Sequence, residues 1–273
     1  MKISCIPISL FKELSTGRMS IQNWARAAKN IGFDGIDISI MFLESRSPIY
    51  LSRLSTDMEA IGMPIVMMTT YPDFTHPDLT QRQREFDYLV HDIALCSQLK
   101  IRYLRILAGQ AHPGISAVQG IEQVVENFMR ISPIGEKYGV TLLFEDHSKP
   151  GAWDYYDFAY NPEIFLAILD RIKDTGIKVN FDTGNIVAFG QDPFPTLEKA
   201  YDKIETIHVS DMKKLGVLSP VSIGTGIVPN RDIFQYIKSR GFDGWLCIEE
   251  ASGNGLQGIK SAYEFVLSSW MNA

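Results

Sequence analysis

The stretch VTLLFEDH, residues 140–147, is an apolar run, Val140 to Phe144, that stops abruptly on Glu145, Asp146 and His147. A short apolar run opened by Gly139 and closed by charges reads as a buried strand whose end leaves the core. The same ending recurs further along. Ile177 to Phe181 runs into Asp182-Thr183-Gly184-Asn185, Thr206 to Val209 carries His208 and is followed by Asp211, and Trp245 to Ile248 runs into Glu249-Glu250. Parallel strands in a barrel expose their C-terminal ends on one rim, so ionisable groups that end successive strands converge there.

Outward from these four runs, strand and helix periods alternate along the whole chain. Ile3 to Ser9, Gly35 to Ile40, Pro64 to Thr69 and Ile101 to Leu107 are the first four candidate strands. Helical spacing covers Ser20 to Ile31, Ile49 to Ile61, Leu79 to Leu99, Ala117 to Tyr138, Pro193 to Ile204, Asn230 to Arg240 and Gly258 to Trp270. Asn161 caps a further helix to Lys173, with Pro162 at its first position. Eight such pairs, with no glycine fingerprint after the first strand, predict an α/β fold of one domain over 1–273, a (β/α)8 TIM barrel rather than an open doubly wound sheet. The 273 residues are enough for one such barrel. The longest stretch without period, Asp146 to Tyr160, is aromatic-rich and reads as a binding loop.

Composition narrows the function classes. A formal charge of -6 offers no basic footprint for nucleic acid. Apolar runs are too short to span a membrane, and the start, with Lys12 and Glu13 close behind it, does not read as a secretory signal. Cys5, Cys96 and Cys247 are scattered in apolar surroundings, as buried reduced thiols would be, so a cytoplasmic location is expected.

A carboxylate that ends a buried strand is desolvated, and several on one rim repel one another. A divalent cation resolves both problems. Glu, Asp and His together suit Mn²⁺ first, with Zn²⁺, Co²⁺ or Mg²⁺ as alternatives. An isolated acid after a strand is commonly a solvated loop residue or a cap; it is the joint appearance on consecutive strands that points to a site. His208 alone would pass for a core histidine, and His76, His91 and His112 fall outside the pattern as loop or helix-surface residues.

The segments LLFEDH, VNFDTGN, IHVSD and GFDGWLCIEE, in that order, resemble the sugar phosphate isomerase/epimerase group of xylose isomerase-like barrels, to which tagatose 3-epimerase, inosose dehydratase and dehydroshikimate dehydratase belong. The resemblance spans nearly the whole chain; each segment is weak alone and strong in company. It implies that Glu145, Asp182, His208 and Glu249 ligate one metal ion and that Glu145 and Glu249 are also the catalytic acid/base pair. In Glu249-Glu250 the family spacing after Gly244-Trp245 favours Glu249. Where relatives often have a second histidine, three residues after the aspartate, this chain has Asn185.

The activity implied is isomerisation or epimerisation of a ketose or related polyol, phosphorylated or not, through an enediolate. Expulsion of a β-hydroxyl from the same enediolate would make the protein a dehydratase of inosose or dehydroshikimate type. Expected substrate contacts are Tyr71, Arg105, His147, Lys149, Trp153, Asn185 and Asp211, with Tyr155 and Lys213 nearby and Gly224-Thr225-Gly226 as a source of backbone amides. The shortage of histidines and the negative charge argue against a three-zinc nuclease of the endonuclease IV kind, which three metals per chain would favour. A non-catalytic sugar- or partner-binding barrel is the rival from outside enzymology. A homo-oligomer is compatible with the long helices.

Overall fold

A computed structural model describes residues 1–273. Eight parallel strands form one sheet: β1 Lys2–Ile6, β2 Ile36–Ser39, β3 Ile65–Thr69, β4 Tyr103–Ile106, β5 Thr141–Glu145, β6 Lys178–Asp182, β7 Ile204–Val209 and, last in the chain, β10 Trp245–Glu249. Their order is β1-β10-β7-β6-β5-β4-β3-β2, so each strand lies beside its predecessor and β10 returns to β1. The seam between β1 and β2 has no strand ladder. It is closed by Asp34, whose N–H donates to the Ile3 carbonyl at 2.9 Å and whose carboxylate accepts from the Ile3 N–H at 2.8 Å, and by the Ser4 hydroxyl donating to Asp37 Oδ2 at 2.7 Å. The expected (β/α)8 barrel is therefore the observed fold.

Alternation along each strand sorts the side chains into two sets. Leu104 and Ile106, Leu142 and Phe144, Val179 and Phe181, Ile207 and Val209, and Leu246 and Ile248 join one core of 63 buried residues shared with the surrounding helices. These include α2 Ile21–Ile31, α3 Pro48–Ile61, α4 Leu79–Gln98 and α5 Ala117–Tyr138, followed by α6 Pro162–Arg171, α9 Asn230–Ser239 and α10 Gly255–Met271. The other set fills the barrel interior, where Val66, Met67, Tyr103, Leu143 and Cys247 form a small second cluster. Above that apolar floor, polar residues take over.

The elements differ from the sequence reading where local chemistry interrupts a pattern. β1 ends at Ile6 and not Ser9, because Pro7 has no N–H to continue a ladder; a 3-10 turn, Ile8–Leu10, and a short helix α1, Phe11–Ser15, follow. Two short helices, α7 Asn185–Phe189 and α8 Phe194–Ala200, occupy the β6–β7 connection, and a hairpin of β8 Met212–Lys214 and β9 Val217–Pro220 rises after β7. Asn161 is the cap of α6, its side chain accepting from the Glu163 N–H at 3.0 Å. All three cysteines are buried and free, and no helix is long and apolar enough to cross a membrane.

The loops after β3 and β4 are locked together at Gly109. Its φ is +124°, and a Cβ there would lie 2.4 Å from Thr75 Oγ1 and 2.7 Å from Asp73 Oδ1. Gly109→Ala is therefore expected to destabilise the fold by roughly 1–3 kcal/mol through backbone strain and overlap. Urea denaturation measures this, and an unchanged midpoint would contradict the packing described.

Candidate metal centre

The strand register sets the site. Asp182 and His208 are direct partners between β6 and β7, and Ile6 of β1 faces Glu249 at the end of β10. Glu145, Asp182, His208 and Glu249 each bring one donor atom to a point where all four atoms lie within 4.8 Å of one another. His208 Nδ1 is 2.5 Å from Glu145 Oε1 and 3.0 Å from Glu249 Oε2. The neighbouring Glu250 points away: its carboxylate accepts from the Ser9 hydroxyl and, at 3.0 Å, from the Ser252 N–H.

Each group is aimed by its surroundings. Asp182 Oδ1 accepts from the N–H groups of Gly184 and Asn185, both at 2.8 Å, and from the Ser210 hydroxyl at 2.9 Å, which leaves Oδ2 without a hydrogen bond. Asp146 turns back to accept the Asp182 N–H at 2.8 Å. Glu145 Oε1 accepts from Asn180 Nδ2 at 2.6 Å, while Oε2 pairs with Arg105 Nε at 3.2 Å. Arg105 lies across the Tyr71 ring, 5.0 Å from its centroid, and the Tyr71 hydroxyl bonds to Ser39 and Thr69.

The protein alone holds this cluster in electrostatic conflict. Burial pushes the Glu145 carboxyl up, but the charges of His208 and Arg105 outweigh it and bring its pKa down to about 2. Burial and then the charges of Glu249 and Glu145 push Asp182 up to about 7. Burial favours neutral His208, yet the Glu145 and Glu249 carboxylates drive its pKa well above the usual histidine value. Glu145 Oε2 and both ring nitrogens of His208 are buried without a hydrogen-bond partner. Four donor groups packed this closely, three carboxylates and one imidazole, fit a divalent cation.

Beside the cluster lies a cavity of about 450 Å³. Ile6, Ile8, Phe11 and Met41 make an apolar wall, Arg105, His147 and Glu249 reach in from the rim, and the segment from Lys149 to Ala152 closes another side. Burial pulls His147 down to a pKa of about 4, so the ring is neutral near pH 7. The structure thus brings Tyr71, Arg105, His147 and Lys149 to the cavity. Trp153 is buried in the same loop but off the cavity wall, Tyr155 packs on His112, and Lys213 is exposed on the hairpin. Asn185 is buried at the start of α7, just past the end of β6, and does not line the cavity.

Asp211 sits elsewhere from where the sequence pattern placed it. Its carboxylate is filled by backbone donors, Gly224 at 2.9 Å and Gly226 at 2.8 Å on Oδ2, Met212 at 2.9 Å and Val228 at 3.1 Å on Oδ1. It organises the loop after β9, and the amides of the Gly224-Thr225-Gly226 turn face Asp211. Sequence reading missed the apolar wall, which comes from distant segments. It also missed Asn180 and Thr206, although polar residues inside apolar runs were a visible signal.

Residues 25–268 match the family described as the xylose isomerase-like TIM barrel. The chain belongs to that family. A Streptomyces coelicolor protein provisionally named hydroxypyruvate isomerase is 25% identical over 90% of this chain and 88% of its own. An inosose dehydratase of Lacticaseibacillus casei is 23% identical over 47% of this chain and 46% of its own length. Among solved structures, the IolI protein, determined with a bound zinc atom, superposes with a TM-score of 0.84 at 17% identity, covering 100% of this chain and 99% of that one.

Because four N–H donors converge on one carboxylate, Asp211→Asn is expected to cost roughly 1–3 kcal/mol of stability by turning an NH2 towards donors. Chemical denaturation of the variant tests this; a loss below experimental error would show that the loop does not need the anion.

Proposed function

We propose that the protein is a divalent metal-dependent isomerase or epimerase of a small hydroxy-carbonyl compound, a ketose or related polyol, working through an enediolate. The observation that carries this reading is the convergence of Glu145, Asp182, His208 and Glu249 within 4.8 Å beside a cavity. When bound, the cation supplies Lewis acidity towards a carbonyl oxygen and its neighbouring hydroxyl. Mn²⁺ is the first candidate, with Zn²⁺, Co²⁺ and Mg²⁺ as alternatives.

The residues divide the remaining work. Glu249, whose side chain is 24% exposed and faces the cavity, takes the proton from the carbon next to the carbonyl. The C–H electron pair moves into the new C=C bond and the carbonyl electrons onto oxygen, which gives the enediolate. Glu145, fully buried and held by Asn180 and Arg105, is the partner carboxylate: it takes up a proton from solvent and gives it to the enediolate from the opposite face, while Glu249 releases its own proton to solvent to complete the cycle. Proton delivery to the same carbon from that face inverts it, and delivery to the former carbonyl carbon, with the neighbouring hydroxyl proton passing to the former carbonyl oxygen, isomerises the sugar. Arg105 and Lys149, both at the cavity, oppose the negative charge that develops. The apolar wall of Ile6, Ile8, Phe11 and Met41 restricts water around the reacting carbon. The inosose dehydratase relatives support a second reading, loss of a β-hydroxyl from the same enediolate.

In D2O, the manganese-loaded protein is expected to place deuterium at a carbon of one substrate among ketoses, hydroxy-keto acids, keto-inositols and their phosphates. Glu249→Gln and Glu145→Gln should each lower that rate by about 10²–10⁴-fold. Parental exchange in either variant removes that residue from acid/base work, and loss of water from the product selects the dehydratase. Elemental analysis should find one metal per chain, reduced in His208→Ala at unchanged folding. A metal-free parent that still binds sugar would replace the enzyme with a binding barrel.

A further inference from the structure

Glu145, one of the four convergent donors, belongs to a row of polar residues whose other members, Asn180 and Thr206, transfer no proton in the proposed chemistry. Glu145 of β5 pairs in register with Asn180 of β6, and Asn180 pairs with Thr206 of β7, so the three stand side by side across the interior. All are completely buried. Thr206 Oγ1 donates to Asn180 Oδ1 at 2.7 Å, and Asn180 Nδ2 donates to Glu145 Oε1 at 2.6 Å.

We infer that Thr206 and Asn180 are positioning residues that fix the Glu145 carboxylate in the orientation needed to hold a divalent cation. The direction of the chain follows from donor and acceptor chemistry. An ionised carboxylate only accepts, so the amide must present its NH2 to Glu145 and its oxygen to the other side. Thr206 has one hydroxyl hydrogen, and giving it to Asn180 Oδ1 makes the flipped amide unfavourable at both ends. Glu145 then has one oxygen pinned from below by Asn180 and the other drawn sideways by Arg105. Filling the barrel does not require polarity here, since Leu143, Met67 and Cys247 occupy the interior nearby as apolar groups. Hydrogen bonds that orient a ligand carboxylate typically matter 10–100-fold in metal affinity.

This inference rests on the metal reading above, and titration of the metal-free full chain with MnCl2 and ZnCl2 by calorimetry separates the two. Asn180→Leu is expected to weaken binding roughly 10–100-fold. Thr206→Val, which removes the hydroxyl at nearly constant shape, should weaken it several-fold, and Thr206→Ser, which keeps the hydroxyl, should restore parental affinity. Thermal melting of the metal-free proteins reports folding separately, and the Thr206 pair carries the test if Asn180→Leu does not fold. Parental affinity in Thr206→Val overturns the inference alone, as does equal weakening in Thr206→Val and Thr206→Ser. A parent that binds neither ion overturns the metal reading and the positioning role together.

Discussion

Three carboxylates crowded around one buried imidazole are the constraint to which the rest of the rim responds. Two like charges 4 Å apart at an effective dielectric near 20 repel by about 4 kcal/mol. The groups respond differently: the charges of His208 and Arg105 bring Glu145 down to about 2 against its burial, whereas burial and then the charges of Glu249 and Glu145 push Asp182 up to about 7. The same mouth holds donors placed to stabilise anions: Arg105 and Asn180 on Glu145, and two backbone N–H groups with Ser210 on Asp182. The protein therefore spends its local structure keeping negative charges together instead of letting them separate.

Register is what makes such crowding possible. Side chains on a strand alternate between faces, so a slip of one residue would send Glu145 outward and Phe144 into the barrel. The ladder between β6 and β7 shifts between Val179 and Asn180, and it is above that irregularity that Asn180 meets Thr206 and Asp182 meets His208. The sheet has no ladder at the β1–β2 seam, where Asp34 and the Ser4–Asp37 pair bridge instead. That side of the rim carries the apolar wall and not the donors, with Ile6, Ile8 and Met41 drawn from it.

The barrel was legible because eight apolar runs alternate with helical spacing, a signal that sums over the whole chain. The convergent donors were legible because a strand end is a fixed place in this architecture. Between Glu249 and Glu250 the choice follows from parity, since the interior residue Cys247 and Glu249 share a face while Glu250 turns towards Ser9. Asp211 shows where this logic stops. A carboxylate just past a strand looks the same in sequence whether it faces a ligand or gathers the N–H groups of a glycine-rich turn, and the Gly224-Thr225-Gly226 segment, thirteen residues on, decided for the turn. The hairpin of β8 and β9 was invisible for a different reason: strands of three and four residues, half exposed, carry too little pattern. Ile8, Phe11 and Met41 could not be assigned to a cavity wall because only closure of the barrel brings them beside Glu249.

Charge balance around the cluster bears on which ion and which substrate suit it. With Asp182 ionised, the three carboxylates and the Arg105 guanidinium leave two negative charges, and His147 adds none because burial keeps it neutral. A dication would cancel that pair and release His208 from its role as the only positive partner inside the cluster, so that Nδ1 turns from a proton carrier into a neutral donor. On a rim balanced in this way, negative charge forming on a bound substrate would have two cationic side chains at the cavity with N–H groups to spare. One is Arg105, whose Nη1 is buried without a partner; the other is Lys149, held only by the Asp154 carbonyl at 3.0 Å. A cation would balance the resting site, and these two side chains would be left to answer the charge that the proposed chemistry creates.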